Sequence, residues 1–174
     1  MKRLQHLAAL ICACITLAVC SGSQALADGL GDPAGEIVLT VSGDIKVTNT
    51  DDAVAFDMAM LEELGATTFE TTTIWTEGVQ TFVGVELQSL VKVLGVDSGT
   101  LRASAVNDYA VEIPVSDAVE SGPIIAFRRN GTEMSLREKG PLWIVYPYDN
   151  NTEYQSELIY SRSIWQLDRI EVLP

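Results

Sequence analysis

The sequence predicts an α+β domain that consists mostly of β-strands, with two or three short helices. Runs rich in β-branched and aromatic residues recur along the 174-residue chain, as in residues 67–75 and 142–146, and such runs are typical of strands. Residues 86–94 show the clearest helical repeat, because their apolar residues fall at i, i+3, i+4 and i+7. The pair Asn130-Gly131 adds a strong hairpin signal.

The predicted elements follow one another without internal repeats. Gly95 follows the helix at 86–94, where a left-handed cap belongs, and a second short helix at 56–64 has Asp57 as its N-cap and Gly65 at its end. The predicted strands are 36–43, 67–75, 101–106, 109–113, 124–128, 142–146 and 164–172, with a short segment that ends near 136.

The first 27 residues have the pattern of a secretory signal peptide. Lys2 and Arg3 make a basic start, residues 7–19 are apolar, and Ala25-Leu26-Ala27 places small residues at a cleavage position. The apolar run is shorter than the roughly 20 residues that a membrane-spanning helix needs. We therefore expect a soluble periplasmic protein of 147 residues after cleavage.

The expected mature protein is a single domain. Residues 28–35 are rich in Gly, Asp and Pro, so we expect a flexible start, followed by one domain over residues 36–174. At this length a hydrophobic core buries about two thirds of the surface of the unfolded chain, which suffices without disulfides.

The composition of the mature chain restricts its chemistry. All three cysteines and the one histidine lie in the first 20 residues, so a Ser-His-Asp triad and a cysteine-ligated metal centre are excluded after cleavage. Loss of Lys2 and Arg3 leaves 9 basic residues against 24 acidic ones, a formal charge of −15. This charge repels nucleic acid and anionic lipid headgroups. We expect no nucleic-acid partner and no direct insertion into a membrane.

Four segments, in order along the chain, resemble motifs of one family. They are Phe82-Val83-Gly84-Val85-Glu86-Leu87 with Leu90 and Leu94-Gly95, then Asn107-Asp108-Tyr109, then residues 140–147 (GPLWIVYP), and last Ser163-Ile164-Trp165 with residues 168–172. This order is similar to that of the sulfite-oxidase-type molybdopterin-binding domain and covers about residues 41–172. The resemblance implies that fold, with mixed β-sheets and a few short helices.

The chain departs from this family at the residue that binds molybdenum. In the redox members a cysteine precedes the first motif, whereas residues 71–81 contain Ile74-Trp75 and no cysteine. Exported, cysteine-less members resemble periplasmic pterin-binding proteins. The resemblance implies a non-catalytic protein that binds a reduced pterin of the tetrahydropterin type. It also implies a signal to the periplasmic domain of an inner-membrane cyclic-di-GMP (GGDEF/EAL) enzyme in biofilm regulation, and no molybdenum cofactor is expected.

A pterin is a flat bicyclic ring that needs an aromatic partner and a group that pairs with its 2-amino-4-oxo edge. Stacking on an aromatic side chain is worth about 1–3 kcal/mol, by analogy with nucleobases. Trp165 is the first candidate for this stacking, and its alternative is a core position in the last strand. Trp75 is the second candidate because it lies near the missing metal ligand, with a strand-end covering role as its alternative. Trp143 lies in an apolar run and is predicted to be core.

The candidate for the edge of the ring is Asp108, since a carboxylate accepts two adjacent N–H groups in a bidentate pair. It lies between Asn107 and Tyr109, at the break between two predicted strands, where functional loops are common. The alternative is an Asx-type turn in which this aspartate caps its own backbone.

A polar segment precedes Trp165. Ser161, Arg162 and Ser163 are candidate ligand contacts, and Arg162 either donates to a ligand carbonyl or pairs with a surface carboxylate. Tyr154 is a further candidate, because four tyrosines bracket this segment and are placed to wall a pocket: Tyr146, Tyr148, Tyr154 and Tyr160.

Two other functions stay open. The first is a molybdopterin-dependent oxidoreductase without cysteine ligation, which metal analysis would identify. The second is a ligand-free adaptor in which Trp75 and tyrosine side chains fill the old cavity, so that no pocket remains beside Trp165. The adjacent Arg128 and Arg129 are a candidate partner contact in either case.

Overall fold

The computed structural model describes residues 30–174, so the predicted signal peptide at 1–27 and the start of the predicted flexible segment at 28–35 lie outside the described residues. Within them are ten strands and three α-helices. In chain order these are β1 (Ile37–Gly43), β2 (Ala53–Asp57), α1 (Met58–Glu63), β3 (Ala66–Thr71), β4 (Gln80–Glu86), α2 (Leu87–Val93), β5 (Thr100–Ala105), β6 (Ala110–Pro114), β7 (Ile124–Arg129), β8 (Thr132–Glu133), β9 (Leu142–Val145), α3 (Glu157–Arg162) and β10 (Trp165–Leu173). Across residues 30–174, no helix has both the length and the apolar character to cross a membrane.

All ten strands belong to one mixed sheet, in which the main order is β2-β1-β10-β9-β7-β4-β3. β5 pairs with β10 and β6, and β8 extends β7 in the hairpin at Asn130-Gly131. β1 and β10 run parallel, and the other pairs are antiparallel. The class predicted from the sequence, a strand-rich fold with a few short helices, is confirmed at this level.

β10 holds the two halves of the sheet together. Its first residues pair with β9, and its later residues lie between β1 and β5. Two bulges interrupt it, one between Trp165 and Leu167 and one between Leu167 and Arg169. At the first bulge Gln166 has a left-handed backbone, with φ 55°. Because a bulge redirects the side chains around it, β10 presents Trp165 and Gln166 differently from a regular strand.

Most predicted elements are confirmed, and the corrections have local causes. The predicted strand at 67–75 ends at Thr71, because the backbone N–H and the hydroxyl of Thr72 bond to Asp149 instead of a neighbouring strand. Phe56, predicted as the first residue of a helix, lies in β2. β2, β4 and α3 were not predicted as elements. β2 is buried throughout and so lacks the alternation that marks a half-exposed strand.

The short helix α1 is fixed by its N-cap, as predicted. The Asp57 carboxylate accepts hydrogen bonds from the backbone N–H of Met60 at 2.9 Å, of Gly35 at 2.7 Å and of Ala34 at 2.8 Å. These bonds, led by that from Met60 and then Gly35, hold the pKa of Asp57 below its ordinary value. One side chain therefore joins the start of the domain to a helix too short to be stable alone.

The hydrophobic core packs α2 against the sheet. Leu87, Leu90 and Leu94 are almost fully buried, and Gly95 has the positive φ of 68° expected of its cap position. Gly84 lies where β4 and β7 approach closely, since a Cβ there would lie 2.2 Å from the carbonyl oxygen of Ile125. The close approach of β4 and β7 therefore explains why the first of the four motifs has a glycine at this position.

Candidate functional site

A cavity of about 430 Å³ lies where the start of β10, the β5–β6 turn, α3 and the β3–β4 loop meet. Six of the nine residues predicted for a site line it: Trp75, Asn107, Tyr109, Ser161, Ser163 and Trp165. Ala105, Tyr160, Ile164 and Gln166 complete the lining. These residues come from four separate parts of the chain, and the fold brings them together.

Trp165 forms one wall of the cavity and is only partly buried, although it packs against the core. Its ring centroid lies 5.6 Å from that of Trp75 and 6.1 Å from that of Trp143, both in edge contacts. The ammonium of Lys139 lies 4.3 Å from the centroid of the Trp165 ring, a cation–π contact. The side chain therefore packs against the core and also forms a wall of the cavity, and its stacking on a ligand ring stays a prediction.

Trp75, in the loop between β3 and β4, forms the adjoining wall. Its ring makes edge contacts at centroid distances of 5.6–6.2 Å with four aromatic rings: Trp143, Tyr148, Tyr160 and Trp165. The loop is held at its base by the bonds of Thr72 to Asp149, at 2.6 and 2.8 Å. Trp75 therefore covers the aromatic core and lines the cavity with the same ring.

The β5–β6 turn supplies the third wall. Asn107 accepts the backbone N–H of Tyr109 through Oδ1 at 3.2 Å, which is an Asx turn. Ala105, Asn107 and Tyr109 face the cavity, whereas Asp108 faces away, with a left-handed backbone of φ 66°. The turn chemistry that was the alternative for Asp108 is made by its neighbour Asn107.

The structure does not bring Asp108 to the cavity. Its side chain is 87% exposed, lines a separate depression with Arg102 and Ser104, and forms an ion pair with Arg169. No carboxylate lines the aromatic cavity in the part of the chain described. The pairing group for a ring edge must therefore be sought among neutral side chains.

The helix α3 forms the fourth wall. Ser156 caps it by accepting the N–H of Ile159 at 3.4 Å, and the helix places Tyr160 and Ser161 at the cavity. Ser163, just after the helix, donates to the carbonyl of Ile159 at 3.3 Å and is also bonded to the Tyr148 hydroxyl. Both serines are bonded within the fold, since the Ser161 hydroxyl donates to the carbonyl of Leu158 at 2.7 Å, but Ser161 is exposed whereas Ser163 is buried.

Arg162 and Tyr154 lie outside the cavity, in a polar cluster behind α3. Arg162 donates from Nη1 to Oδ2 of Asp117 at 2.7 Å, and the Tyr146 hydroxyl donates to the same oxygen at 2.8 Å. Tyr154 packs its ring edge-on against Tyr146, with centroids 5.6 Å apart. Burial, followed by the Asp117 charge, raises the pKa of both Tyr146 and Tyr154. This cluster therefore holds α3 in place on the side that does not face the cavity.

Two more of the predicted aromatic residues belong to the core. Trp143 is fully buried, as predicted, and its Nε1–H has no hydrogen-bond partner among residues 30–174. Tyr148 is 1% exposed, and burial raises the pKa of its hydroxyl. The cavity thus rests on a floor of packed aromatic rings.

Two neutral amides contribute to the hydrogen-bonding capacity of the cavity. Gln166 donates from Nε2 to the carbonyl of Leu136 at 2.8 Å, which leaves its Oε1 without a bond in the described chain. Asn107 uses its Oδ1 in the Asx turn, and its Nδ2 has no partner within residues 30–174. Gln166 therefore offers an acceptor and Asn107 a donor beside the two tryptophans, in addition to the hydroxyls of Tyr109 and Tyr160, which also line the cavity.

Sequence reasoning did not single out Lys139, and it gave Gln166 no role of its own. A strand pattern gives no direct sign that one residue is rotated into a left-handed bulge. A partial signal existed, because the buried residues Leu167 and Ile170 are three apart and break the alternation of a regular strand. Lys139 reaches Trp165 only because β9 and β10 are paired.

The family resemblance implies molybdopterin, which carries a phosphate and a dithiolene-bound metal, and the residues at the cavity do not fit it. No Lys or Arg is among the lining residues of the described chain, and the nearby Lys139 is engaged with the ring of Trp165. Within residues 30–174 no group of three or more His, Cys, Asp or Glu residues is placed to hold a metal ion. The cavity lining in the described residues thus offers neither a basic residue for that phosphate nor a thiolate for the metal.

The two arginines of β7, Arg128 and Arg129, are the residues predicted as a candidate partner contact. Arg128 donates from Nη2 to Oε1 of Glu62 at 2.6 Å and lies near the ring of Phe127. Arg129 is partly buried beside the hairpin turn. Arg128 therefore has a structural use.

Comparison with known proteins does not add a family to these observations. No protein-family model matches the chain, and no curated protein matches it significantly. The functional argument rests on the cavity and on the motifs in the sequence.

Proposed function

We propose that this protein is a non-catalytic binding protein for a planar, pterin-like heterocycle, which it holds in the aromatic cavity. The observation that carries the proposal is the placement of Trp75 and Trp165 on a cavity of about 430 Å³ that also contains two available amide groups. This volume is within the range of pockets that bind small molecules, about 300–1,000 Å³. Aromatic walls with few polar groups suit a flat ring that stacks.

The polar pattern of the cavity supports a lactam-type ring edge in particular. The 2-amino-4-oxo edge of a pterin offers N–H donors beside a carbonyl acceptor. Gln166 Oε1 is placed to accept an N–H, and Asn107 Nδ2 is placed to donate to a carbonyl. A neutral edge pair replaces the Asp108 carboxylate expected from the sequence. The acidic charge of the chain as a whole also favours a neutral ring over a phosphorylated one.

The wider role follows from the resemblance alone. The order of the four motifs supports a sulfite-oxidase-type fold that has lost its cysteine, and the leader pattern supports export to the periplasm. On this reading the protein reports the presence of a reduced pterin to the periplasmic domain of a membrane cyclic-di-GMP enzyme. A cavity beside Trp165 also weighs against an adaptor in which aromatic side chains fill all of that space.

The proposal is tested by calorimetric titration of the full chain with tetrahydrobiopterin under reducing conditions. We expect saturable binding in the micromolar range or tighter. Trp165→Ala should weaken it more than about tenfold, since stacking worth about 1.4 kcal/mol or more is lost. Trp165→Phe should recover part of the affinity. Absence of binding at high micromolar concentration would refute the proposal.

Asp108→Asn is the matched control for this titration. The carboxylate lies outside the cavity and pairs with Arg169 at the surface, so the affinity should be unchanged. Thermal denaturation of each variant separates a lost contact from a lost fold. A large loss of affinity in Asp108→Asn, without loss of stability, would restore the carboxylate as the edge partner and contradict the arrangement described here.

A further inference from the structure

A second groove, of about 370 Å³, adjoins the aromatic cavity and is mainly apolar. Its walls include Ile37, Val106, Leu136 and Pro141. The first three are exposed by 44%, 47% and 54%, which is unusual for large apolar side chains brought together in one place. We call this the apolar groove.

Carboxylates border the apolar groove. Glu36 and Asp168 both line it, and no Lys or Arg does so within residues 30–174. Asp168 is partly neutralised by Arg169, whose Nη1 lies 3.0 Å from its Oδ1, whereas Glu36 has no ion-pair partner in the described chain. The groove is therefore apolar at its centre and negative at its edge, on a chain whose mature form carries a formal charge of −15.

Gln166 connects the apolar groove to the aromatic cavity. Its side chain lines the cavity, and its Nε2 donates to the carbonyl of Leu136 at 2.8 Å. Its own carbonyl accepts the backbone N–H of Val106 at 3.0 Å. Two walls of the groove are thus bonded to a residue that a bound ring would contact.

We infer that the apolar groove docks a segment of a partner protein that presents a large apolar side chain flanked by Lys or Arg. The apolar centre would bury that side chain, and the carboxylates at the edge complement the flanking cations. Ligand in the aromatic cavity changes the affinity of the groove through Gln166. This effect of a bound ligand rests on the proposed function, whereas the groove and its occupant do not.

The experiment starts from a random dodecapeptide library displayed on phage and selected against the immobilised full chain. The recovered peptides should share an apolar residue with Lys or Arg within a few positions. A labelled consensus peptide is then titrated by fluorescence anisotropy. Leu136→Ser should weaken its binding by about tenfold, because the burial of one large apolar side chain is lost. Glu36→Gln should weaken it by about threefold at low salt and less at high salt.

Leu158→Ser is the matched control, because Leu158 is exposed by 60% and lies on α3, away from the groove. The affinity of this control variant for the peptide should equal that of the unmodified protein. Failure to recover basic apolar peptides, or equal binding by Leu136→Ser and Leu158→Ser, would overturn the docking site. Self-association in analytical ultracentrifugation that only Leu136→Ser abolishes would also overturn it, since the occupant would then be a second copy of the chain.

Coupling is measured by repeating the peptide titration with saturating tetrahydrobiopterin. A change of about threefold or more in peptide affinity, lost in Gln166→Ala, supports the coupling, and an unchanged affinity refutes it. Direct titration of Leu136→Ser with tetrahydrobiopterin keeps the two proposals distinct. If that variant binds the pterin but not the peptide, the cavity and the groove are separate sites. If neither the unmodified protein nor Leu136→Ser binds the pterin, while the peptide still binds to the unmodified protein, only the proposed function fails.

Discussion

The ion pair between Arg162 of α3 and Asp117 should stabilise this helix, which forms one wall of the cavity. Arg162 and Asp117 have side-chain exposures of 18% and 15%, and their closest atoms are 2.7 Å apart. Removing one partner of a fully buried pair costs about 3–5 kcal/mol, and an exposed pair is worth about 0–1 kcal/mol. For this intermediate exposure we expect Asp117→Asn to lower the free energy of unfolding by about 2 kcal/mol. In a domain of this size that corresponds to a Tm roughly 6 °C lower.

The assay is a double-mutant cycle with Arg162→Met and Asp117→Asn, measured by urea denaturation and followed by tryptophan fluorescence. The coupling energy between the two positions should be about 1–2 kcal/mol. The pair Arg128–Glu62 is a matched control, because its atoms are 2.6 Å apart but its side chains are exposed by 34% and 39%. For Arg128→Met with Glu62→Gln, the coupling should be only about 0.5 kcal/mol.

Equal coupling energies at the two pairs would refute the reasoning, because burial would then make no difference at equal distance. A coupling energy below about 0.3 kcal/mol between Arg162 and Asp117 would refute it as well. If the cycle behaves as expected, Asp117→Asn should also weaken binding of tetrahydrobiopterin. The reason is that α3 carries Tyr160 and Ser161 at the cavity.

Three further predictions concern stability. Asp57→Asn should lower the urea midpoint at pH 7. This deficit should shrink as the pH falls below about 4, because the pKa of Asp57 is lowered in the folded state and its contribution is lost on protonation. Gly84→Ala should destabilise by about 1–3 kcal/mol in chemical denaturation, since its Cβ would meet the Ile125 carbonyl at 2.2 Å. Tyr148→Phe should cost about 1 kcal/mol in the same assay, because the hydrogen bond between its hydroxyl and Ser163 is lost.

Local patterns in the sequence located most elements, because they rest on neighbouring residues. Asp57 and Gly65 mark the ends of α1, Gly95 ends α2, and Asn130-Gly131 makes the turn between β7 and β8. The sequence missed β2, whose residues are buried on both faces and show no period of two. It also missed α3, where six residues give too short a repeat for a helical period to stand out.

Residue types at the candidate site were open to prediction, but their directions were not. Trp75, Trp165 and Asn107 were singled out from the sequence, and the fold brings all three to one cavity. Asp108 was singled out by the same reasoning, yet it faces the opposite side of its turn and pairs with Arg169. The left-handed backbone of Asp108, with φ 66°, turns its side chain away from those of Asn107 and Tyr109, and only the tertiary fold decides which side of the turn is enclosed.

By itself, the sequence determined the strand-rich class, the helix caps, the hairpin and the lack of cysteine and histidine beyond residue 20. These properties depend on composition or on residues a few positions apart. Only the tertiary structure decided that Gln166 lies in a bulge, that Lys139 covers a tryptophan ring, and that the cavity is neutral. Those features depend on the register between distant strands, which is set by how the whole core packs, and no short stretch of sequence encodes it.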